Sequence, residues 1–112
     1  MKDLEKHLFA FCEAHGLSID KPPSRKIKVN YIISSGNGKA VGVILLDWKR
    51  AIGVDIVIRA EKIEKSTRKF NKIIILTNSY SDPASSLGER IAVGVYAPHD
   101  LHYIHVEKEL GL

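Results

Sequence analysis

The segment from residue 40 to residue 50 reads AVGVILLDWKR and determines the predicted fold class. Its core, Val41 to Leu46, is almost continuously apolar, as is typical of a strand that is covered on both faces. The preceding residues 34–39, SSGNGK, have the composition of a turn, and their Asn-Gly pair favours a hairpin. Apolar side chains alternate from Ile27 to Ile33, which predicts the partner strand. We therefore predict a hairpin whose second strand, from Ala40 to about Trp48, is central in a sheet.

The segment that follows this hairpin carries two patterns. Residues 54, 56 and 58 are apolar and alternate with others, as in a strand. Apolar residues also recur at positions 52, 56, 60 and 63, which is helical spacing, and the charge pair Asp55–Arg59 has the four-residue separation that supports a helix. We favour a helix from about Ile52 to Phe70.

The other elements follow from periodicity, Pro and Gly. A Pro-containing link is expected over Ser18–Ser24, because Pro22 and Pro23 cannot continue a helix. The remaining predicted elements are a helix over Lys2–His15, a buried strand over Lys72–Thr77, a helix from Ser81 to about Arg90, a strand over Ile91–Tyr96 and a final helix over Asp100–Leu110. The predicted order is αββαβαβα, in a single domain of residues 1–112.

Composition and charge place the chain among ordinary globular proteins. Its 112 residues are 45% hydrophobic and 27% charged, which argues against disorder. Lys and Arg number 17 against 13 Asp and Glu, a net charge of +4. That excess permits a polyanionic partner such as DNA without requiring one.

Cysteine content and apolar run lengths indicate a compartment. Cys12 is the single cysteine, so no disulfide forms within the chain, and its place in an apolar helical stripe favours a buried thiol over a nucleophile. We expect no secretory leader, and the apolar runs of the sequence are too short to cross a bilayer. We expect a soluble, cytoplasmic protein without a membrane partner.

Several pieces of the chain, taken in order, resemble one known family. These pieces are Leu4-Glu5 and Gly16-Leu17 around the first helix, residues 45–50 (LLDWKR), residues 73–81 (IIILTNSYS), residues 84–96, and Asp100-Leu101. Together they resemble the Mrr-like branch of the restriction-endonuclease superfamily, the PD-(D/E)xK nucleases, over nearly the whole chain. The resemblance implies an α/β, restriction-endonuclease-like three-layer sandwich, with helices flanking a mixed central sheet.

The resemblance also implies a Mg²⁺ site for cutting DNA. In the family, Mg²⁺ lies between acids on neighbouring strands, and a Lys two residues after the second acid helps to orient the attacking water. Asp47, the implied metal ligand, and Lys49 match that spacing. The first acid is expected near Asn30 or Ala40, neither of which is acidic. Glu5 on the first helix is a substitute candidate, although a solvated charge at a helix N-terminus is the simpler interpretation.

Other polar residues have simpler interpretations. Asp47 and Lys49 also fit an ordinary charged strand end. His99, His102 and His105 recur every third residue and so could share a face for Zn²⁺, but a polar helix surface explains them without a metal. The glycines of residues 36–38 form no phosphate-binding loop, because the helix that should follow is absent.

Three functions remain open at this stage. The first is a Mg²⁺-dependent endodeoxyribonuclease that uses Asp47, Lys49, and Asn30 or Glu5. The second is an inactive relative that binds DNA or serves as a complex-forming subunit, and the third is an interaction domain that binds no nucleic acid. Candidate phosphate contacts are Lys26, Lys28, Arg50, Arg68 and Lys69. Since such enzymes cut both strands with two subunits, the fold-level analogy also predicts a homodimer or a larger complex.

Overall fold

A five-stranded mixed sheet lies at the centre of the computed structural model, which describes residues 3–36, 38–67, 70–100 and 103–112. The elements are α1 (Asp3–His15), β1 (Ser18–Asp20), β2 (Tyr31–Ser34), β3 (Ala40–Leu46), α2 (Val54–Ser66), β4 (Lys72–Thr77), α3 (Asp82–Ile91), β5 (Gly94–Tyr96) and α4 (Ile104–Leu110). The strands lie in the order β1-β2-β3-β4-β5. Those from β1 to β3 pair antiparallel, whereas β3, β4 and β5 pair parallel.

The apolar residues of β3 explain its central position. Its residue Val41 lies opposite Ile33 of β2 on one side and opposite Lys72 of β4 on the other. Successive side chains of a strand point to opposite faces, so Val41 and Val43 enter one apolar core and Ile44 packs against the other. A strand between two cores must be apolar throughout. The predicted hairpin and the central second strand are both confirmed.

Helices cover both faces of the sheet and make it the middle of three layers. On one face, Leu8 of α1 and Val106 of α4 belong to the same buried cluster. On the other face, Val57 and Ala60 of α2 pack with Ala84 of α3. The predicted three-layer arrangement of a mixed sheet and flanking helices is therefore confirmed.

The N-terminal half departs from the predicted element order. The chain contains an additional strand, β1, so the order is αβββαβαβα rather than αββαβαβα. This strand lies within the segment that was expected to be a link, and it is held by pairing Ile19 with Ile33 of β2. The strand predicted from Ile27 forms only over β2, since the residues before Tyr31 belong to the loop between β1 and β2.

The elements α2, β5 and α4 are also shorter than predicted, and β3 ends at Leu46 rather than near Trp48. The helix α2 spans Val54–Ser66, because Ile52 forms an isolated bridge with Tyr80 instead of joining the helix. The strand β5 starts only at Gly94, since α3 continues to Ile91. The helix α4 begins at Ile104. Among the described residues, none of the helices has the length and apolar character needed to cross a bilayer.

The topology places the ends of several strands at one edge of the sheet. The strands β1, β3 and β4 run parallel to one another, so their carboxyl ends lie at the same edge, where the antiparallel strand β2 begins. Polar residues at these positions are Lys21 after β1, Asn30 before β2, Asp47 after β3 and Asn78 after β4. Open α/β sheets usually bind ligands at such carboxyl ends, which makes this edge the place to look for a site.

Candidate nucleic-acid interface

A cleft of about 290 Å³ lies at this edge, between α1 and the beginning of β2. We call it the carboxylate cleft, and its lining residues are Leu4, Glu5, Lys21, Asn30, Tyr31, Leu45 and Asp47. Three of the four predicted catalytic residues, Glu5, Asn30 and Asp47, thus line one cavity. They come from a helix, a loop and a strand exit, and only the tertiary fold brings them together.

Asn30 extends the pairing of β2 with β3 beyond the last regular residue. Its backbone N–H donates to the carbonyl of Val43 over 2.8 Å. Its side-chain Oδ1 accepts a hydrogen bond from the N–H of Leu45 over 2.9 Å. The amide oxygen therefore already has a backbone donor, and unlike a carboxylate it carries no charge for a cation.

Glu5 reaches the cleft from the first turn of α1 and is half-buried there. The hydroxyl of Tyr31 donates to its Oε2 over 2.8 Å. This hydrogen bond raises the pKa of Tyr31, and partial burial adds to the effect. Glu5 is thus joined to the sheet, rather than only solvated at the helix N-terminus.

Asp47 is held by Asn78, which is not one of the predicted site residues. The Nδ2 of Asn78 donates to Oδ1 of Asp47 over 2.8 Å and to the carbonyl of Trp48 over 3.0 Å. Asn78 follows β4, the parallel neighbour of β3, so its amide ties the two strand exits together. The available signal was a polar residue directly after a buried strand.

Lys49 is not among the residues that line the carboxylate cleft. The prediction required β3 to continue so that Asp47 and Lys49 shared a face, but the strand ends at Leu46. Residues 49 and 50 lie in a bend, and Lys49 is exposed. The lysine that does line the cleft is Lys21, which follows β1, the strand that the sequence did not predict.

The carboxylate cleft holds two carboxylates and a neutral amide, which is less negative charge than the Mg²⁺ site implied by the family resemblance requires. Mg²⁺ prefers charged oxygen ligands in a near-octahedral arrangement. Here Oε2 of Glu5, Oδ1 of Asn30 and Oδ1 of Asp47 each accept a hydrogen bond from the protein itself. In the part of the chain that the structure describes, no group of three or more Asp, Glu, His or Cys side chains is arranged to hold a metal ion.

The predicted histidine face gives no metal site among the described residues either. His99 lies 3.9 Å from a carboxylate oxygen of Asp100, and the backbone N–H of His105 donates to the hydroxyl of Tyr96. Burial lowers the pKa of the His105 side chain, and Lys72 and Lys108 add to the effect. His102 lies outside the described residues.

A loop with exposed cations borders the cleft through Lys21 and Asn30. The loop between β1 and β2, residues 21–30, which we call the basic loop, carries four exposed basic side chains: Lys21, Arg25, Lys26 and Lys28. The whole sequence from residue 21 to residue 46 contains no Asp or Glu. The exposed Arg50 lies 4.7 Å from the centre of the Trp48 ring. Arg68 and Lys69, also predicted to contact phosphates, lie outside the described residues.

A second depression, of about 570 Å³, adjoins the cleft on the α2 side of β3. We call it the apolar groove, because most of its lining is apolar: Ile44, Leu46, Trp48, Ile56, Ala60 and Ile63. Lys28 and Arg59 also line it. Asn30 and Leu45 line both the groove and the carboxylate cleft, so the two cavities share a wall.

Solved structures resemble this fold. One, described as a protein of unknown function, AF1548, matches with a TM-score of 0.67 at 14% identity, over 84% of this chain and 56% of that one. The nuclease EndoMS in apo form matches with a TM-score of 0.55 at 13% identity, over 91% of this chain and 48% of that one. This chain therefore spans about half the length of each neighbour.

These comparisons define the class of fold. No protein-family model matches the sequence, and no curated protein matches it significantly. Sequence identities of 13 and 14% support a similarity of fold and nothing further. With its mixed five-stranded sheet between two helical layers, the chain has a restriction-endonuclease-like fold that is shared with a nuclease.

Proposed function

We propose that this chain is a DNA-binding protein of the restriction-endonuclease-like fold that does not hydrolyse phosphodiesters efficiently. One observation supports it above the others. The basic loop carries four exposed cations, of which Lys21 lines the carboxylate cleft, and its last residue, the neutral Asn30, lies in that cleft where an acid is expected. The basic loop would contact phosphates, and the cleft would lack the charge needed for a strongly bound Mg²⁺.

Electrostatics supports the binding part of this proposal. Each phosphate that a Lys or Arg neutralises releases condensed counterions, and this release drives much of the affinity of proteins for DNA. Lys21, Arg25, Lys26 and Lys28 lie within one short loop, and no Asp or Glu follows them in the sequence until Asp47. Arg50 adds a further exposed cation at the neighbouring strand exit.

The first experiment measures the salt dependence of DNA binding. Fluorescence anisotropy of a labelled duplex, in EDTA and from about 50 to about 200 mM NaCl, should give a linear decrease of log K with log salt. The double variant Lys26→Ala/Lys28→Ala should lower the slope by about two, since each phosphate contact contributes about 0.9. The control Lys62→Ala/Lys108→Ala removes the same charge from the exposed surfaces of α2 and α4. It should leave the slope nearly unchanged.

Equal effects of the two double variants would reduce the interaction to non-specific attraction by net charge. Absence of salt-dependent binding would favour the third function, an interaction domain that binds no nucleic acid.

A second candidate function is a Mg²⁺-dependent endodeoxyribonuclease. The observation in its favour is that Glu5, Asn30 and Asp47 line one cleft. Supercoiled plasmid incubated with Mg²⁺ or Mn²⁺ distinguishes the two candidates, with Asp47→Ala as the control. We expect no more nicking by the wild type than by this variant. Nicking that Asp47→Ala abolishes would establish nuclease activity and refute the proposal that the protein does not hydrolyse phosphodiesters efficiently.

We also propose that the chain works as a homodimer or within a larger complex. This rests on analogy with nucleases that cut both strands of a duplex. Analytical ultracentrifugation with and without duplex DNA tests it, and a strict monomer in both conditions would count against it.

A further inference from the structure

The apolar groove is a binding surface that the basic loop and the carboxylate cleft do not explain. Ile44 and Leu46 of the central strand are only partly buried, because α2 covers this face of the sheet incompletely. Trp48 extends the same wall, and the buried side chains of Ile56 and Ala60 line the α2 side. A recess of this size and apolar character on a small domain is typical of a ligand site.

Cations surround this recess. Lys28 of the basic loop and Arg59 of α2 both line it and are exposed. The guanidinium of Arg50 lies 4.7 Å from the centre of the Trp48 ring, so a third cation lies beside the recess. The occupant that such a site fits is flat and apolar and is attached to negative charge. A nucleobase on its sugar–phosphate backbone has these properties.

The groove also adjoins the surface proposed to bind phosphates. Asn30 at the end of the basic loop lines both cavities, and Lys28 lies two residues before it. A strand whose phosphates contact the basic loop would therefore pass directly over the mouth of the groove. A base in an intact duplex is stacked and paired, so only an unpaired base can enter without the cost of unstacking.

We propose that the apolar groove receives an unpaired base of a DNA strand, stacked against Trp48, while Lys28 and Arg59 contact the flanking phosphates. This inference rests on the proposed DNA binding and narrows its ligand to DNA that contains unpaired nucleotides. The protein then prefers single-stranded or locally opened DNA over a fully paired duplex.

The fluorescence of Trp48 can report binding in the groove, because Trp48 is the only tryptophan of the chain. The experiment titrates the protein with three probes of equal length: an oligothymidylate strand, an abasic strand with the same sugar–phosphate backbone, and a fully paired duplex. We expect the oligothymidylate to quench Trp48 fluorescence and to bind about tenfold more tightly than the abasic strand, as one stacked base would provide. The abasic strand and the duplex should leave the fluorescence nearly unchanged.

Anisotropy with labelled strands then tests the side chains. Trp48→Ala should weaken oligothymidylate binding about tenfold and leave abasic binding unaltered, whereas Trp48→Phe should keep most of the affinity because it retains an aromatic face. Lys28→Ala should weaken both strands by the same factor, since it removes a phosphate contact. Ile104→Ala, an exposed apolar residue of α4 that is 52% accessible, is the matched control and should change neither. Circular dichroism checks that each variant is folded.

The outcomes separate this inference from the function on which it rests. If no probe binds, the proposed DNA binding fails, and the groove loses its proposed ligand with it. If all three probes bind equally and Trp48 fluorescence does not change, DNA binding stands and the base site is refuted. Tighter binding of the duplex than of the oligothymidylate also refutes it. A fourth titration uses an acidic amphipathic peptide, and quenching of Trp48 by this peptide but by no strand would refute the base site and assign the groove to a protein partner.

Discussion

Among single residues, Asn30 has the largest influence on the charge of the carboxylate cleft. Its Oδ1 accepts the N–H of Leu45, and its amide adds no charge to those of Glu5 and Asp47. Asn71 makes the same kind of contact at the opposite end of β3, where its Oδ1 accepts the N–H of Ala40 over 3.1 Å. An Asn at each end of the strand thus continues the hydrogen bonding of the sheet. This local structural role explains why an amide is stable at position 30.

Asn30→Asp should convert the carboxylate cleft into a Mg²⁺ site. The carboxylate can still accept the N–H of Leu45, and it adds the third negative charge to the cleft. Without metal the variant should be less stable than the wild type, because like charges are brought together. Mg²⁺ at about ten times its Kd should add about 1.4 kcal/mol and raise Tm by a few degrees. Thermal unfolding with EDTA and with Mg²⁺ measures the difference.

Asn71→Asp provides the matched control for that prediction. It makes the same chemical change in the same kind of hydrogen bond but outside the carboxylate cleft. A similar Mg²⁺-dependent rise in Tm for both variants, or none for Asn30→Asp, would show that the cleft has no ligand geometry for the cation.

The sequence identified part of this cleft and missed the rest for a geometric reason. Asp47, Asn30 and Glu5 could be named because the family resemblance implies a site at these positions of the hairpin and the first helix. Lys49 was expected beside Asp47 on the assumption that β3 continued, whereas the strand ends at Leu46. Lys21 and Asn78 follow other strands, and only the parallel pairing of the sheet brings them to the same edge.

At the scale of elements, the contact of α3 with β5 depends on a glycine. A Cβ built on Gly88 would lie 2.5 Å from the carbonyl oxygen of Val93 and 3.0 Å from Cγ2 of Val95. The N–H of Val93 also donates to the carbonyl of Gly88 over 2.9 Å, which fixes the close approach. The absence of a side chain thus allows the helix to end directly against the strand that follows it.

Gly88→Ala should therefore destabilise the protein by about 1–3 kcal/mol, because the clash involves backbone that cannot rotate away. The sign of this stability change is informative, since Ala in place of Gly would stabilise a helix by about 1 kcal/mol if its Cβ met no clash. Urea denaturation measures the change. Ser86→Ala, at an exposed position of the same helix, is the control and should stay within about 0.5 kcal/mol of the wild type. A Gly88→Ala variant as stable as this control would contradict the packing described here.

Elements were predictable where their pattern was long and apolar. The strand β4 has the predicted bounds, Lys72–Thr77, because its five consecutive buried residues are typical of a strand inside the sheet. The strand β1 has only three residues, two of them exposed, and forms because Ile19 pairs with β2. The helix α4 starts later than predicted, since the carboxylate of Asp100 accepts the N–H of Ala97 over 2.7 Å and belongs to the preceding turn. Short elements thus depend on tertiary contacts that periodicity does not contain.

On the scale of the whole molecule, charge is distributed unevenly. The net charge of +4 is modest, yet the acid-free stretch from residue 21 to residue 46 includes the loop that borders both cavities. The opposite, hairpin-turn end of the sheet has Lys39 paired with Glu109 at 3.6 Å. The concentration of cations in the basic loop supports the proposed contact with phosphates more strongly than the net charge does.

Buried protonated groups determine how the stability of the whole fold depends on pH. Burial raises the pKa of the Cys12 thiol from 9.0 to about 11 and that of the Tyr96 hydroxyl to about 12. Burial raises the pKa of Tyr103 as well. Above pH 9, the unfolded chain therefore binds fewer protons than the folded one. The free energy of unfolding should fall as pH rises above 9, the ordinary pKa of a cysteine thiol.

The contribution of Cys12 can be isolated by comparing variants across this range. At neutral pH Cys12→Ala should be less stable than the wild type, because it removes a side chain that is only 2% exposed. That deficit should shrink between pH 9 and pH 11, since the wild type progressively loses the stability that its protonated thiol provides. Leu8→Ala, in the same helix and the same core, removes no titrating group, so its deficit should stay constant. Urea midpoints measured across this range test the prediction, and parallel curves for the wild type and Cys12→Ala would refute the assignment to the thiol.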